Sequence, residues 1–162
     1  MLALRYAALL ALTVWAGGLV ALGAVAAPAM FEVLEARHIP DSTVIAGAIF
    51  GEALRRFHLV SYVCGAVLVC SLTARAILGP RPRRFAVRMA ITVAMFAASL
   101  YSGLVVSRHI DRLRREIGVS PSSLPADDAR RIEFARLHGT STSIQLIPML
   151  GSLLLLAWEL RD

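Results

Sequence analysis

The sequence predicts an all-α integral membrane protein, an antiparallel four-helix bundle with short helical extensions outside the bilayer. Three observations predict this fold class: 57% of the 162 residues are apolar, only 17% are charged, and the mean hydropathy is +0.68. An ordinary soluble domain has about a quarter of its residues charged, and a disordered chain is poor in apolar residues. Both classes are therefore excluded, and we expect a single four-span transmembrane domain over residues 1–162.

Four apolar runs define the expected spans. A helix rises about 1.5 Å per residue, so about 20 apolar residues cross the hydrocarbon core. The second run is short and is expected to extend back through Phe57, with the Arg75 side chain snorkelling towards water. Pro148 lies inside the fourth run and should kink it. The expected spans are about 6–31, 57–75, 88–107 and 138–158.

Helical extensions are expected where the flanking segments carry charges. Residues 42–56 have a plausible N-cap in Ser42 and no proline. Residues 108–118 contain i,i+4 pairs of opposite charge and end at Gly118, which suits a helix C-terminus. Two prolines and three serines predict a loop over residues 119–125, followed by a polar helix that leads into the fourth span.

The distribution of arginine predicts the orientation. All 17 basic residues are arginine, and the formal net charge is +6. They flank the apolar runs, so contact with anionic lipid at the surface of the bilayer is expected and nucleic acid is not. Because Arg81, Arg83 and Arg84 crowd a short connection without acids, that connection and both termini are expected on the cytoplasmic side of a bacterial inner membrane.

Small residues recur at helical spacing on the spans, which favours close helix contact in lipid. They predict a compact bundle, and the ladder on the third span could alternatively mediate a homo-oligomer or contact with a larger membrane complex. The residues predicted to pack are Gly17, Ala21, Ala90, Ala94, Ala98 and Ser102.

One helix face of the fourth span is polar. His138, Ser141, Thr142 and Gln145 lie at i, i+3, i+4 and i+7, and such groups are costly against lipid, so they should point into the bundle. On the second span, His58 and Tyr62 share a face. Because His58 and His138 begin their spans on the same membrane side, they are the best candidates for a shared pocket. Glu52 and Arg56 would lie near its mouth.

Three interpretations of this pocket stay open. It can be a hydrogen-bond network that orients the helices, or a polar site for a lipid, quinone or small substrate. It can also hold haem b or a metal ion with His58 and His138 as ligands, which would make the protein a membrane redox protein. The sequence contains no Cys-x-x-Cys, phosphate loop, His-Glu-x-x-His or nucleophile elbow, so no catalytic residue is predicted and an enzyme is not the favoured interpretation.

Several short motifs resemble those of a known family. They are Trp15-Ala16-Gly17-Gly18, Pro28-Ala29-Met30-Phe31, Gly51, Arg55-Arg56-Phe57-His58, Gly65, the segment Ser107-Arg108 to Arg114, and Phe134-x-x-Leu137-His138-Gly139-x-Ser141. Their order and spacing, over nearly the whole chain, resemble an uncharacterised four-span membrane family that includes the human transmembrane protein associated with cisplatin resistance. The resemblance implies a four-helix membrane domain with His58 and His138 in its polar centre, and it implies no reaction.

A fainter resemblance links the first span to small membrane protoporphyrinogen oxidases and to copper-resistance membrane domains. They share a Trp-x-Gly-Gly motif followed by proline and phenylalanine. In the oxidases a histidine precedes this motif, whereas residues 4–14 of this chain contain none. That departure counts against oxidase activity and against haem ligation of the oxidase type.

Overall fold

Four long helices form the molecule, as the apolar runs predict. The computed structural model describes residues 2–79 and 81–161. Within them, four helices are long and apolar enough to cross a membrane, and we number them in chain order: α1 is Leu2–Ala36, α2 is Ser42–Leu78, α3 is Phe85–Ile117 and α4 is Ala129–Arg161. Each expected span lies inside one of these helices, which confirms an all-α bundle of four apolar helices.

Two of the helices contain a wider π-helical turn. In α1 it covers Ala21–Ala26, and in α3 it covers Ser102–Val106. Such turns interrupt the regular hydrogen-bond ladder and frequently lie at functional sites. α4 stays helical through Pro148.

The connection between α3 and α4 has the loop and helix ends that its residues favour. The charged end of α3 stops at Gly118, whose φ of 69° is the left-handed conformation that glycine adopts readily. A short 3-10 turn, Pro121–Ser123, lies within the predicted loop. The Asp128 carboxylate accepts a hydrogen bond from the backbone N–H of Arg130 at 2.8 Å and so caps the start of α4. Hydrogen bonds from Arg130 lower the pKa of Asp128 to about 2.

The helices are arranged as a ring in which α1 packs on α2, α2 on α3, α3 on α4, and α4 on α1. At 33 to 37 residues each, they are about 50 Å long, against a hydrocarbon core of about 30 Å. The uncharged runs reach close to the helix ends that carry the chain termini, so the surplus helix length lies at the opposite end of the bundle. We call that opposite end the extended end.

The apolar core lies between the helices, nearer to the end that carries the chain termini. Trp15 is completely buried, and Leu12, Leu68, Met95 and Leu155 surround it in one apolar cluster. Serine and threonine side chains also face inward on α3, where Thr92, Ser99 and Ser102 are buried. Large apolar side chains cover the outside, as expected for a surface in contact with lipid.

A buried charge cluster joins all four helices at the end that carries the termini. The Glu159 carboxylate on α4 accepts hydrogen bonds from Arg75 of α2 at 2.8 Å and from Arg88 of α3 at 2.6 Å. Arg5 of α1 donates to the Glu159 carbonyl oxygen at 2.8 Å. The expectation that Arg75 snorkels to water is wrong, because its side chain is buried and turned towards Glu159.

Candidate functional site

The extended end of the bundle contains two cavities. The larger, of about 700 Å³, lies among the helical extensions and the loop after α3. The smaller, of about 250 Å³, is bounded by residues of all four helices and reaches further along α1 and α4 towards the middle of the bundle. The two share Gly51, Asp111, Arg114 and His138 in their walls, so they are neighbours along the bundle axis.

The two cavities differ in chemistry. The larger is rich in charged side chains: Glu52, Arg55, Asp111, Arg114, Arg115 and Arg131 line it. The smaller is lined mostly by apolar side chains: Leu19, Leu22, Phe50, Leu54, Ile110, Leu146 and Met149. Six charged side chains therefore line the larger cavity and two, Asp111 and Arg114, line the smaller, so the density of charge rises towards the extended end.

The predicted polar face of α4 forms one wall of the smaller cavity. His138, Ser141, Thr142 and Gln145 all line it. The Gln145 amide donates to the Ser102 hydroxyl of α3 at 3.4 Å, and the Thr142 hydroxyl donates to the His138 carbonyl one turn earlier at 3.0 Å. The His138 ring stacks on Phe134, with ring centroids 6.2 Å apart.

His58 occupies a different environment. Its side chain is buried, its Nε2 lies 3.5 Å from the Ser107 hydroxyl, and its ring stacks on Tyr62. Gly103 of α3 makes room for this pair, because a Cβ there would lie 2.2 Å from the Tyr62 hydroxyl and 2.9 Å from the His58 ring. His58 and Tyr62 line neither cavity, although Ser107 lines the smaller one.

The eight residues predicted for one pocket therefore fall into separate groups. Four of them, on α4, share the smaller cavity, and Glu52 lines the larger one. Arg56 lines neither cavity and pairs with Glu52 at 2.8 Å on the exposed side of α2. In the described part of the chain no hydrogen bond or ring contact joins His58 to His138, so a site that both histidines share stays a prediction.

Metal-binding residues do not cluster in the described residues, 2–79 and 81–161. No group of three or more histidine, cysteine, aspartate or glutamate side chains is close enough there to hold one ion. Two such side chains meet across helices: His109 of α3 and Glu133 of α4 lie 3.2 Å apart. Haem ligation by two histidines stays a prediction.

The residues predicted to pack helices lie mostly on the outside. Gly17, Ala21, Ala90 and Ala94 are exposed on the single chain, and a Cβ added at Gly17 would meet no atom within 4 Å. Ala98 is partly buried, and Ser102 is fully buried against Gln145. Contact of the outward alanines with a second copy or a larger complex stays a prediction.

Arg114 is the functional candidate that the sequence interpretation missed. Its guanidinium donates to the Gly47 carbonyl of α2 and lies 5.6 Å from the centre of the Phe134 ring of α4. A Cβ at Gly47 or Gly51 would lie 3.0 or 3.2 Å from its nitrogens, so two glycines four residues apart admit the side chain. In the sequence, the signal for this contact is the four-residue spacing of Gly47 and Gly51 together with the arginine-rich end of α3.

Comparison with known proteins identifies one family. Residues 10–118 match the family described as a domain of unknown function, DUF4149. No curated protein and no solved structure matches the chain. The match confirms the expectation of an uncharacterised family. It does not support the finer resemblances to the human cisplatin-resistance protein, the oxidases or the copper-resistance domains.

Proposed function

The chain belongs to the DUF4149 family, whose description names no activity, and we propose from its geometry that it is a membrane-embedded binding protein for a small amphipathic ligand. The observation that carries this proposal is the pair of adjoining cavities, one charged and one apolar, at the extended end of the bundle. A ligand with a polar head and an apolar tail fits this arrangement, with its head in the larger cavity and its tail in the smaller one.

The dimensions support a ligand of this kind. Cavities that bind small molecules have volumes of about 300 to 1,000 Å³ and combine apolar walls with a few polar groups. The larger cavity, at about 700 Å³, falls in that range, and the smaller adds about 250 Å³ of mainly apolar space. The head of the ligand would lie among the charged extensions, and its tail would lie beside Leu22 and Met149.

The polar face of α4 would orient the ligand. His138 lines both cavities, so it stands where head and tail would join. Ser141 and Gln145 lie below it on the same wall and offer hydroxyl and amide groups. Polar groups in such a position fix the orientation of a bound molecule, while the apolar surface provides most of the binding free energy.

Binding of oleyl alcohol tests the proposal with a defined probe. The protein in maltoside micelles would be titrated with oleyl alcohol, and the bound fraction would be measured by native mass spectrometry. Wild-type protein should bind one molecule. Gly23 lines the smaller cavity and a Cβ there meets no atom within 4 Å, so Gly23→Leu should fill space and weaken binding by about tenfold or more.

Gly17→Leu is the matched control for this experiment. Gly17 lies on the same helix, an added Cβ also meets nothing within 4 Å, and the residue lines neither cavity. It should bind oleyl alcohol as the wild type does. No binding by the wild type, or equal binding by both leucine variants, would overturn the proposal.

We also propose that the membrane is a bacterial inner membrane with both chain termini on its cytoplasmic side. The support is the acid-free connection that holds Arg81, Arg83 and Arg84. With Cys64 and Cys70 replaced by alanine, single cysteines at Arg83 and at Ser122 would be labelled in spheroplasts with an impermeant maleimide. Ser122→Cys should react and Arg83→Cys should not, and the reverse pattern would invert the orientation.

A further inference from the structure

Arg114 stands at the junction of the two cavities. It lines both of them and lies between Gly47 and Gly51 of α2 and the Phe134 ring of α4. Its contacts with the Gly47 carbonyl and the ring hold the guanidinium in place. A guanidinium carries five N–H donors in a planar fork, so these contacts leave donors for a further partner.

The guanidinium of Arg114 forms no salt bridge with a carboxylate in the described part of the chain. Within residues 2–79 and 81–161, no carboxylate oxygen lies within 4 Å of Arg114. By contrast, Arg55, Arg56 and Arg130 each pair with an acid at 2.7 to 2.8 Å. Asp111, one helical turn before Arg114, also lines both cavities and forms no salt bridge with it. Burial lowers the pKa of Arg114, and the negative charge of Asp111 raises that pKa by less, so Asp111 compensates the buried charge only in part. A half-buried cation without a paired anion favours an anionic ligand beside it.

The charges around the larger cavity are of both signs, and the positive ones are in excess. Its walls hold four arginines and two carboxylates, and these six groups sum to a net charge of +2. One of the two carboxylates, Glu52, already accepts hydrogen bonds from both Arg55 and Arg56. A concave site with excess positive charge attracts and concentrates anions.

We propose that the head of the bound amphiphile is an anion, a phosphate or a carboxylate, and that Arg114 holds it. This inference rests on the proposed function, since it names the chemistry of the ligand that the two cavities would bind. The planar fork of Arg114 suits two oxygens of one anionic group, and the apolar cavity directly below takes the chain attached to that group. Arg114 is therefore the residue that determines specificity for the head group.

A head-group series on the wild-type protein tests the inference without any variant. Oleyl phosphate, oleyl alcohol and inorganic phosphate would each be titrated against the protein in maltoside micelles by isothermal titration calorimetry. Oleyl phosphate should bind at least about tenfold more tightly than oleyl alcohol, and inorganic phosphate should bind far more weakly than either. This order separates an anionic lipid from a free anion as the source of the head group.

The other outcomes are distinguishable. Equal binding of oleyl phosphate and oleyl alcohol would overturn the anionic head and leave the proposed function standing. Binding of inorganic phosphate as tight as that of oleyl phosphate would show a site for a soluble anion, which overturns the amphiphile. If neither oleyl compound binds, the proposed function and this inference fail together.

A matched pair of variants locates the anion site. Arg114→Gln should weaken binding of oleyl phosphate by about ten- to a hundredfold, the range expected for losing hydrogen bonds to a charged group, and should weaken binding of oleyl alcohol much less. Arg112→Gln is the control, because Arg112 is exposed on the same helix and lines neither cavity. Equal effects of the two variants on oleyl phosphate would overturn the assignment to Arg114. The wild-type series decides the inference if Arg114→Gln does not fold.

Discussion

Replacing Glu159 with glutamine is expected to destabilise the bundle strongly. Glu159 is 3% exposed, and one of its carboxylate oxygens accepts hydrogen bonds from both Arg75 and Arg88. The substitution preserves the size of the side chain and removes its negative charge. Arg75, itself only 8% exposed, then loses its carboxylate while it stays buried among the helices.

The magnitude follows from the burial of the partners. Removing one member of a buried ion pair costs about 3–5 kcal/mol, because an uncompensated charge remains in a medium of low polarity. Arg5 adds a weaker attraction, since its Nε lies 3.8 Å from the second carboxylate oxygen of Glu159. We therefore expect Glu159→Gln to lower the free energy of unfolding by about 3–5 kcal/mol.

Reversible unfolding in mixed micelles of dodecylmaltoside and sodium dodecyl sulfate measures this loss. Glu35→Gln is the matched control, because Glu35 is exposed at the end of α1 and should change stability by less than about 0.5 kcal/mol. A triple variant, Glu159→Leu with Arg75→Met and Arg88→Met, should recover much of the loss, because it removes the buried charges together. A loss below about 1 kcal/mol for Glu159→Gln would refute the assignment of this cluster as a stabilising contact.

Two further predictions concern stability. Gly103→Val should lower the free energy of unfolding by about 1–3 kcal/mol, because a Cβ there would lie 2.2 Å from the Tyr62 hydroxyl. Gly17→Val is the control, because a Cβ added at Gly17 has open space around it. Equal losses of stability in the two variants would contradict the contact between Gly103 and Tyr62. Arg130 lowers the pKa of Asp128 from 3.8 to about 2, so the contribution of its carboxylate is present above pH 3.8 and is lost as the pH falls through about 2. Asp128→Asn should accordingly be less stable than the wild type at pH 5 and equal to it near pH 2, and a difference independent of pH would contradict this origin.

The fold could be predicted from the sequence because the bilayer imposes a simple rule. A segment in hydrocarbon must satisfy its own backbone hydrogen bonds, so each long uncharged run becomes a helix. Gly118 ends the charged part of α3, as predicted. The prediction of Ser42 as the N-cap of α2 is wrong, because Asp41 holds that position, in the left-handed conformation and without a side-chain hydrogen bond to the helix. These features depend on neighbours within one or two helical turns.

The contacts between helices could be predicted only in part. The polar face of α4 was evident from spacing alone, and it lines a cavity because the alternative is exposure to lipid. Whether His58 meets His138 depends on the rotation of α2, which periodicity does not determine. Arg75, Arg88 and Glu159 each flank an apolar run, and only the packing of four helices reveals that they converge.

Photo-crosslinking shows where on the protein a bound amphiphile lies, and it therefore tests binding in the two adjoining cavities. Oleyl phosphate with a diazirine at the far end of its chain would be activated on the protein, and the modified residues would be mapped by mass spectrometry. If the tail of the ligand lies in the smaller cavity, adducts form on residues such as Leu22 and Met149 and are lost in Gly23→Leu. Adducts confined to outward residues such as Val63 and Leu153, unchanged by Gly23→Leu, would contradict binding in the cavities.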